Sequence, residues 1–276
     1  MIFDEIYPIE QLKEFVHLYR LRHFVIPPNF KTYPKPFPPH PEQCITFYPR
    51  GAEITELVAR QSKVRRPRSI ISGQYTTRVN RTSAYDEILI IVAVFKPGAL
   101  FRLTGIPSHE LLNQDIDLEC VYPKEARLVN ELLSSSEDYQ EMIRIIESFL
   151  LGIAQKVKIE SRVSDKIFNM MISCSQKYSL DWFSREACLS QRQFERKSMQ
   201  YIGINPKLLL RIARFNQTYM MRLRNPELDW LSIALICGYH DYQHLVKDYK
   251  DFVHTTPTVF FSEEAQALDR ALGLNK

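Results

Sequence analysis

Residues 179–206 read SLDWFSREACLSQRQFERKSMQYIGINP, and residues 229–257 read DWLSIALICGYHDYQHLVKDYKDFVHTTP. The two stretches are one pattern written twice. Ser179 aligns with Asp229, Ser184 with Ala234 and Leu189 with Tyr239 at a spacing of 50. Phe194 then aligns with Leu245, and Pro206 with Pro257, at a spacing of 51. One residue has therefore been inserted in the turn of the second copy. Each copy predicts a short helix, a tight turn and a second helix, the arrangement that presents a helix to a DNA groove.

In the first copy Ser179 is placed to cap a helix that ends near Cys188, Leu189 packs inward, and Ser190 caps the next helix. That second helix displays Gln191, Arg192, Gln193, Arg196 and Lys197, with Phe194 turned to the core. Arginine bridges O6 and N7 of guanine, and glutamine bridges N6 and N7 of adenine. Lysine and arginine also take phosphates and set register. The second copy runs Ile233-Ala234, Cys237-Gly238-Tyr239 and His240-Asp241; its outer helix displays Tyr242, Gln243, His244 and Lys247, with Leu245 and Tyr249 inward. Between the copies, Lys207 to Leu223 predicts a long helix with Leu208, Ile212, Phe215 and Tyr219 along one side. The candidate DNA-contacting set is thus Ser190, Gln191, Arg192, Gln193, Arg196 and Lys197 with His240, Asp241, Tyr242, Gln243, His244 and Lys247. Such a pair would enter successive major-groove segments about 34 Å apart.

The region 162–261 resembles the DNA-binding domain of AraC/XylS-type transcription regulators. Leu189-Ser190, Arg192, Arg196, Gly203 and Pro206 carry the resemblance in the first half; Arg214, Ile233-Ala234, Gly238-Tyr239, Asp241, His244-Leu245, Lys250 and Thr256-Pro257 carry it in the second. Four positions depart from the family pattern. Cys188 and His254 stand where glycine is usual, Ser198 where phenylalanine is, and Gln243 where serine is. Residues 95–119, FKPGALFRLTGIPSHELLNQDIDLE, resemble more loosely a segment of cupin-like sensor domains found in some bacterial regulators of this type. The resemblance implies an activator of transcription with RNA polymerase as a partner, a small-molecule effector, and no cofactor.

The first half has a different texture. Pro27, Pro28, Pro34, Pro36, Pro38, Pro39 and Pro41 exclude helix and central strand, because proline lacks the amide donor and fixes φ. Strand-like runs follow at Gln43–Tyr48, Arg68–Gln74 and Glu87–Phe95, while residues 10–22 read equally as a helix or an edge strand. Residues 122–158 turn helical: Pro123 starts one helix, and Met142, Ile146, Phe149, Leu150 and Ile153 form the apolar face of another. That face reads as core or as a homodimer seam through residues 142–153. The predicted fold class is α+β: a mainly-β, cupin-like domain with a helical hairpin, then an all-α domain of two helix-turn-helix subdomains joined by a long helix. The expected boundaries are 1–158 (β-rich to about 120, helical over 122–158), 162–262 and a tail at 263–276, with a polar linker near Lys156–Ser161.

A net charge of +4 becomes informative when divided. Residues 180–224 hold nine Lys and Arg against three Asp and Glu, whereas residues 225–262 hold two against five. The first copy should supply most of the phosphate attraction. A second basic run, Arg60, Lys63, Arg65, Arg66, Arg68, Arg78 and Arg81, reads as a basic surface or as a site for an anionic effector or for DNA. Asp86-Glu87 and the pair Asp115 and Asp117 have no evident partner in sequence.

Other classes find little support. The longest apolar run, Ile88–Phe95, is too short to span a bilayer. The five cysteines lack a CxxC pair and predict free thiols in a reducing cytoplasm. His240 and His244 have metal-ligand spacing but no third ligand nearby, so no metal is expected. No GxSxG, HExxH, P-loop or Rossmann glycine pattern occurs. The rival reading is a ligand-binding or enzymatic β-domain with a helical protein-interaction module.

Overall fold

The structure, a computed structural model, describes residues 2–27, 33–58, 61–157, 163–267 and 270. Among these residues nine strands open the fold: β1 (Ile2–Ile6), β2 (Val16–Val25), β3 (Lys35–Phe37), β4 (Cys44–Arg50), β5 (Glu53–Leu57), β6 (Ser62–Arg65), β7 (Ser69–Ser72), β8 (Val79–Ser83) and β9 (Glu87–Phe95). A short helix α1 (Ala99–Thr104) and a 3-10 turn at Ser108–Leu111 lead to β10 (Asp115–Asp117). Helices α2 (Leu118–Val121), α3 (Pro123–Ser135) and α4 (Tyr139–Ala154) follow. One sheet has the order β1-β2-β9-β4-β7-β10 and the other β3-β8-β5-β6.

Strand β9 shows why the halves stack as they do. Its side chains alternate between two faces. Leu89, Ile91, Ala93 and Phe95 join a cluster with Val129, Leu133, Ile146 and Leu150 of the helical hairpin. Ile88 and Ile90 instead join Phe24, Tyr48 and Ile70. A strand buried on both faces needs an unbroken apolar run, which is what Ile88–Phe95 supplies.

Several expectations change here. The apolar face of α4 is not available as a dimer seam, because Met142, Ile146, Phe149, Leu150 and Ile153 are all at most 7% exposed beneath the large sheet. Phe149 meets Phe47 of β4 edge-on at 6.3 Å between ring centroids. Each such side chain contributes roughly 1.5–3 kcal/mol by leaving water, more than a charged surface could offer the helix. Residues 10–22 are neither a helix nor an edge strand: a 3-10 turn at Glu10–Leu12 precedes β2, which lies between β1 and β9. Pro36 does enter a strand, but β3 is at the edge of its sheet, where the missing amide costs nothing.

The basic run also divides. Lys63, Arg65 and Arg68 are exposed, while Arg60 lies outside the described residues. Arg66 is buried between the sheets, with Nη2 2.8 Å from Asp115 Oδ2 and Nη1 donating to the Tyr48 hydroxyl at 2.8 Å. The Tyr48 hydroxyl in turn donates to Glu53 at 2.8 Å. Asp115 thus has the partner that its sequence neighbourhood lacks, and Asp117 caps α2 by accepting from the Glu119 amide. The pairing of β10 with β7 brings Asp115 to Arg66 from far along the chain, so local sequence cannot reveal it.

The remaining helices are α5 (Val163–Ser173), α6 (Leu180–Glu186), α7 (Gln191–Tyr201), α8 (Pro206–Arg224), α9 (Trp230–Ile236), α10 (Tyr242–Val253) and α11 (Pro257–Glu264). Phe168, Phe183, Phe194, Phe215, Tyr249 and Phe260 are fully buried among them, and Phe168 stacks on Phe194 at 5.2 Å. Among the described residues no helix is long and apolar enough to cross a membrane. All five cysteines are free thiols. Most of the expected linker falls outside the described residues.

Candidate nucleic-acid interface

The sequence repeat is a structural repeat, built from the same devices in the same order. Ser179 caps α6 by accepting from the Trp182 amide, and Asp229 caps α9 by accepting from the Ser232 amide. The turn closes alike in both copies: Leu189 N–H donates to Ser184 at 3.0 Å, and Tyr239 N–H to Ala234 at 2.9 Å. Ser190 then caps α7 and Asp241 caps α10. Leu189 and Tyr239 still keep the first spacing, whereas the two caps keep the second. The inserted residue is therefore His240.

Two of the four departures from the family pattern lie at left-handed backbone positions. Cys188 has φ +53° where Gly238 has +72°, and His254 has φ +61° where Gly203 has +94°. Each copy keeps glycine at one of its two left-handed positions and a strained L-residue at the other. The left-handed region costs a residue with a Cβ about 1–2 kcal/mol, partly offset by the larger entropy a glycine loses on folding. Cys188→Gly and His254→Gly are each expected to raise stability by about 0.5–1 kcal/mol. Urea unfolding midpoints read this directly, and a midpoint that falls for both would show that the side chains make compensating contacts.

The helix α7 turns Phe194, Ser198 and Tyr201 inward and leaves Gln191, Arg192, Gln193, Arg196 and Met199 exposed. Arg192 and Arg196 make no hydrogen bond or ion pair among the described residues. The two glutamines are engaged. Gln193 closes a capping box by accepting from the Ser190 amide at 3.0 Å, and Gln191 donates to Asp181. Lys197 is half-buried with its ammonium 5.3 Å from the Tyr201 ring centre. Ser198 takes the place of a phenylalanine without leaving a polar orphan, since its hydroxyl donates to Ile204 O at 2.6 Å. On α10, Gln243 and Lys247 are exposed and Tyr242 and His244 half-buried. The His240 and His244 rings stack 6.0 Å apart.

A buried ion cluster ties α8 to the second copy. Asp248 is 1% exposed and accepts from Arg211 at 2.6 Å and from the Tyr239 hydroxyl at 2.9 Å, with Arg214 at 3.5 Å. Arg211 also pairs with Asp251 at 2.7 Å, and the Arg214 guanidinium lies 4.3 Å from the Tyr239 ring centre. Burial, with Asp248 beside it, raises the Tyr239 phenol far above its ordinary range. The charge imbalance between the copies is therefore partly internal: two arginines counted with the first copy neutralise two acids of the second.

Two helix-turn-helix units carried on one connector helix define the C-terminal unit as a double helix-turn-helix DNA-binding domain. Residues 183–263 match the sequence profile of a family described as a helix-turn-helix domain, and residues 4–117 match that of a domain of unknown function, DUF6597. No curated protein matches the chain. Among solved structures, ToxT from Vibrio cholerae is 12% identical with a TM-score of 0.51, covering 89% of this chain and 98% of ToxT. ToxT from the same organism with an unsaturated fatty acid bound is 14% identical, with a TM-score of 0.46 and coverages of 88% and 94%. The AraC-like transcriptional activator CuxR is 14% identical, with a TM-score of 0.25 and coverages of 79% and 86%. Residues 183–263 therefore belong to a helix-turn-helix domain, and the likeness to ToxT at 12% identity shows a shared fold.

Proposed function

We propose that the chain reads a bipartite DNA site, with α7 as the dominant reader and α10 as the weaker one, and that it catalyses no reaction. The observation that carries this reading is the pair of exposed, unengaged arginines on α7, Arg192 and Arg196, on a helix fixed by its own capping box. Gln191 and Gln193 read bases only by giving up the bonds they hold, so their contribution is smaller than that of the arginines. Ser190, Lys197, His240, Asp241, Tyr242, Gln243, His244 and Lys247 complete the DNA-facing set. The exposed apolar side chains Leu231, Leu235 and Ile236 on α9 suit a protein contact, such as RNA polymerase, better than a phosphate backbone.

The division into a sensor unit to residue 158 and a DNA-binding unit from residue 162 belongs to the same proposal. Between the two sheets a small cleft of about 50 Å³ opens, lined by Phe24, Phe37, Ile88 and Ile90 with the cations Arg22, Lys35 and Arg81 and one acid, Glu53. Apolar walls with convergent cations suit a small effector that carries a negative charge. The test is direct. The full chain should select related duplexes from a random DNA library at moderate salt, and two half-sites about one helical turn apart should emerge. A library that stays unselected at low salt, where phosphate attraction is strongest, would leave the protein-interaction reading in place.

A further inference from the structure

The N-terminal unit touches the two helix-turn-helix copies at the same place. Tyr201 and Phe252 are equivalent residues of the repeat, 51 apart, and each sits in the last turn of its recognition helix. The carbonyls of a helix's last turn have no partner within the helix. Tyr201 O accepts from the Ser108 hydroxyl at 2.8 Å, in a buried contact. Phe252 O accepts from the Arg78 amide at 2.8 Å. Both donors belong to the N-terminal unit. No feature local to the repeat requires this, and the two donors come from unrelated elements, a 3-10 turn and the approach to β8.

Each grip is braced. At the first, Gln43 Nε2 donates to Ile202 O at 3.3 Å, and the Phe101 ring of α1 meets the Tyr201 ring at 4.8 Å. Phe101 is 5% exposed and belongs to the core of the C-terminal unit, packed with Phe168, Phe194 and Ile204. The backbone approach is so close that a Cβ on Gly203 would stand 2.7 Å from Ser108 O. At the second, the Arg78 guanidinium pairs with Glu263 at 2.5 Å and covers the Phe260 ring at 5.8 Å, which fixes the amide beneath it. His40 adds a further tie: its Nδ1 lies 2.6 Å from Asn216 Oδ1 on α8, and burial lowers its pKa.

We propose that the N-terminal unit sets the orientation of the two recognition helices relative to each other by gripping these equivalent carbonyls, with Ser108 and Arg78 as positioning residues. The connector α8 joins the copies; the two grips fix how each helix is placed and turned about it. The inference rests on the DNA reading above for its consequence, but not for its geometry. The second grip also adjoins the cleft, since Arg78 immediately precedes β8, whose Arg81, Thr82 and Ser83 line it. A ligand that shifts β8 acts on one helix and leaves the other held.

The experiment has two arms, both on the full chain. Backbone hydrogen exchange is compared for wild type, Ser108→Ala, Arg78→Ala and Arg78→Lys, after thermal unfolding shows that each variant folds. Ser108→Ala should speed exchange about tenfold in residues 198–205 and leave 249–256 unchanged; Arg78→Ala should do the reverse, and Arg78→Lys should restore protection. Unchanged exchange in both alanine variants overturns the proposal. In the second arm, a duplex selected by wild type is lengthened by two base pairs between its half-sites. Wild type should lose at least tenfold in affinity, and the Ser108→Ala/Arg78→Ala double variant less than threefold, because its helices turn independently. An equal penalty in both proteins also overturns it. A wild type that binds no duplex defeats the DNA reading alone, and the exchange arm still decides whether the grips hold.

Discussion

Arg196→Ala lowers affinity for a selected duplex by about 1–3 kcal/mol, and the slope of log affinity against log salt flattens by roughly one unit. Arg192→Ala does the same to within a factor of a few. The two side chains lie on the exposed face of α7, and neither is held by another residue of the chain among those described. Binding therefore costs them only their own rotamer freedom, and each releases its full share of counterions. Lys247→Ala on α10 costs less. Its helix carries an exposed Asp241 at the N-cap and no arginine, so the field along α10 draws phosphate less than that along α7, where Arg192, Arg196 and Lys197 outnumber the lone acid Glu195. Titrations at four or more salt concentrations separate a lost phosphate contact from a lost base contact. Equal losses for Arg196→Ala and Lys247→Ala, with equal changes in slope, would sink the idea that the first copy dominates.

The charge asymmetry between the copies rests on fewer residues in three dimensions than along the chain. Counting charges along the chain assigns Arg211 and Arg214 to the first copy and Asp248 and Asp251 to the second. In three dimensions these four form one cluster and cancel. What survives is the difference between the exposed faces of α7 and α10, which is smaller than the sums suggest but better placed to matter.

Much of the C-terminal unit is legible because its signals are local. Caps, left-handed turn residues and a helical apolar stripe all act within a few residues, so Ser190, Asp241, Gly238 and Phe194 declare themselves in order. The repeat adds a check that no single copy could provide. The N-terminal unit is less legible because its decisive contacts are remote in sequence. Arg66 reads as a surface charge until β6 and β10 bring it to Glu53 and Asp115. The stripe on α4 is visible as apolar, but nothing in it distinguishes a sheet from a second subunit as its cover. The grips at Tyr201 and Phe252 are invisible for the same reason: one partner is a backbone carbonyl, which every residue has. The nearest sequence hint is Gly203, whose missing Cβ admits the 3-10 turn.

Asp248→Ala destabilises the protein more than any change on the DNA-facing surface, by about 3–5 kcal/mol. The carboxylate is 1% exposed, and three groups converge on it: the guanidiniums of Arg211 and Arg214 and the hydroxyl of Tyr239. Truncation leaves the Tyr239 hydroxyl and the half-buried Arg214 without their acceptor, and the cost of an unmet buried charge exceeds the modest net value of the bonds themselves. Asp248→Asn is expected to cost less, since the amide oxygen keeps one acceptor while the charge is lost. The loss should be local first. Tyr239 follows the turn of the second copy and Arg214 lies on α8, so α9 and α10 separate from the connector before the sheets unfold. Urea denaturation followed by the fluorescence of Trp230, on α9, against that of Trp182, on α6, reads the order, using single-tryptophan versions of the chain. A shared midpoint for both probes in Asp248→Ala, unchanged from wild type, would mean that the cluster is a surface ornament and that packing by Phe215, Tyr249 and Phe260 alone holds the second copy.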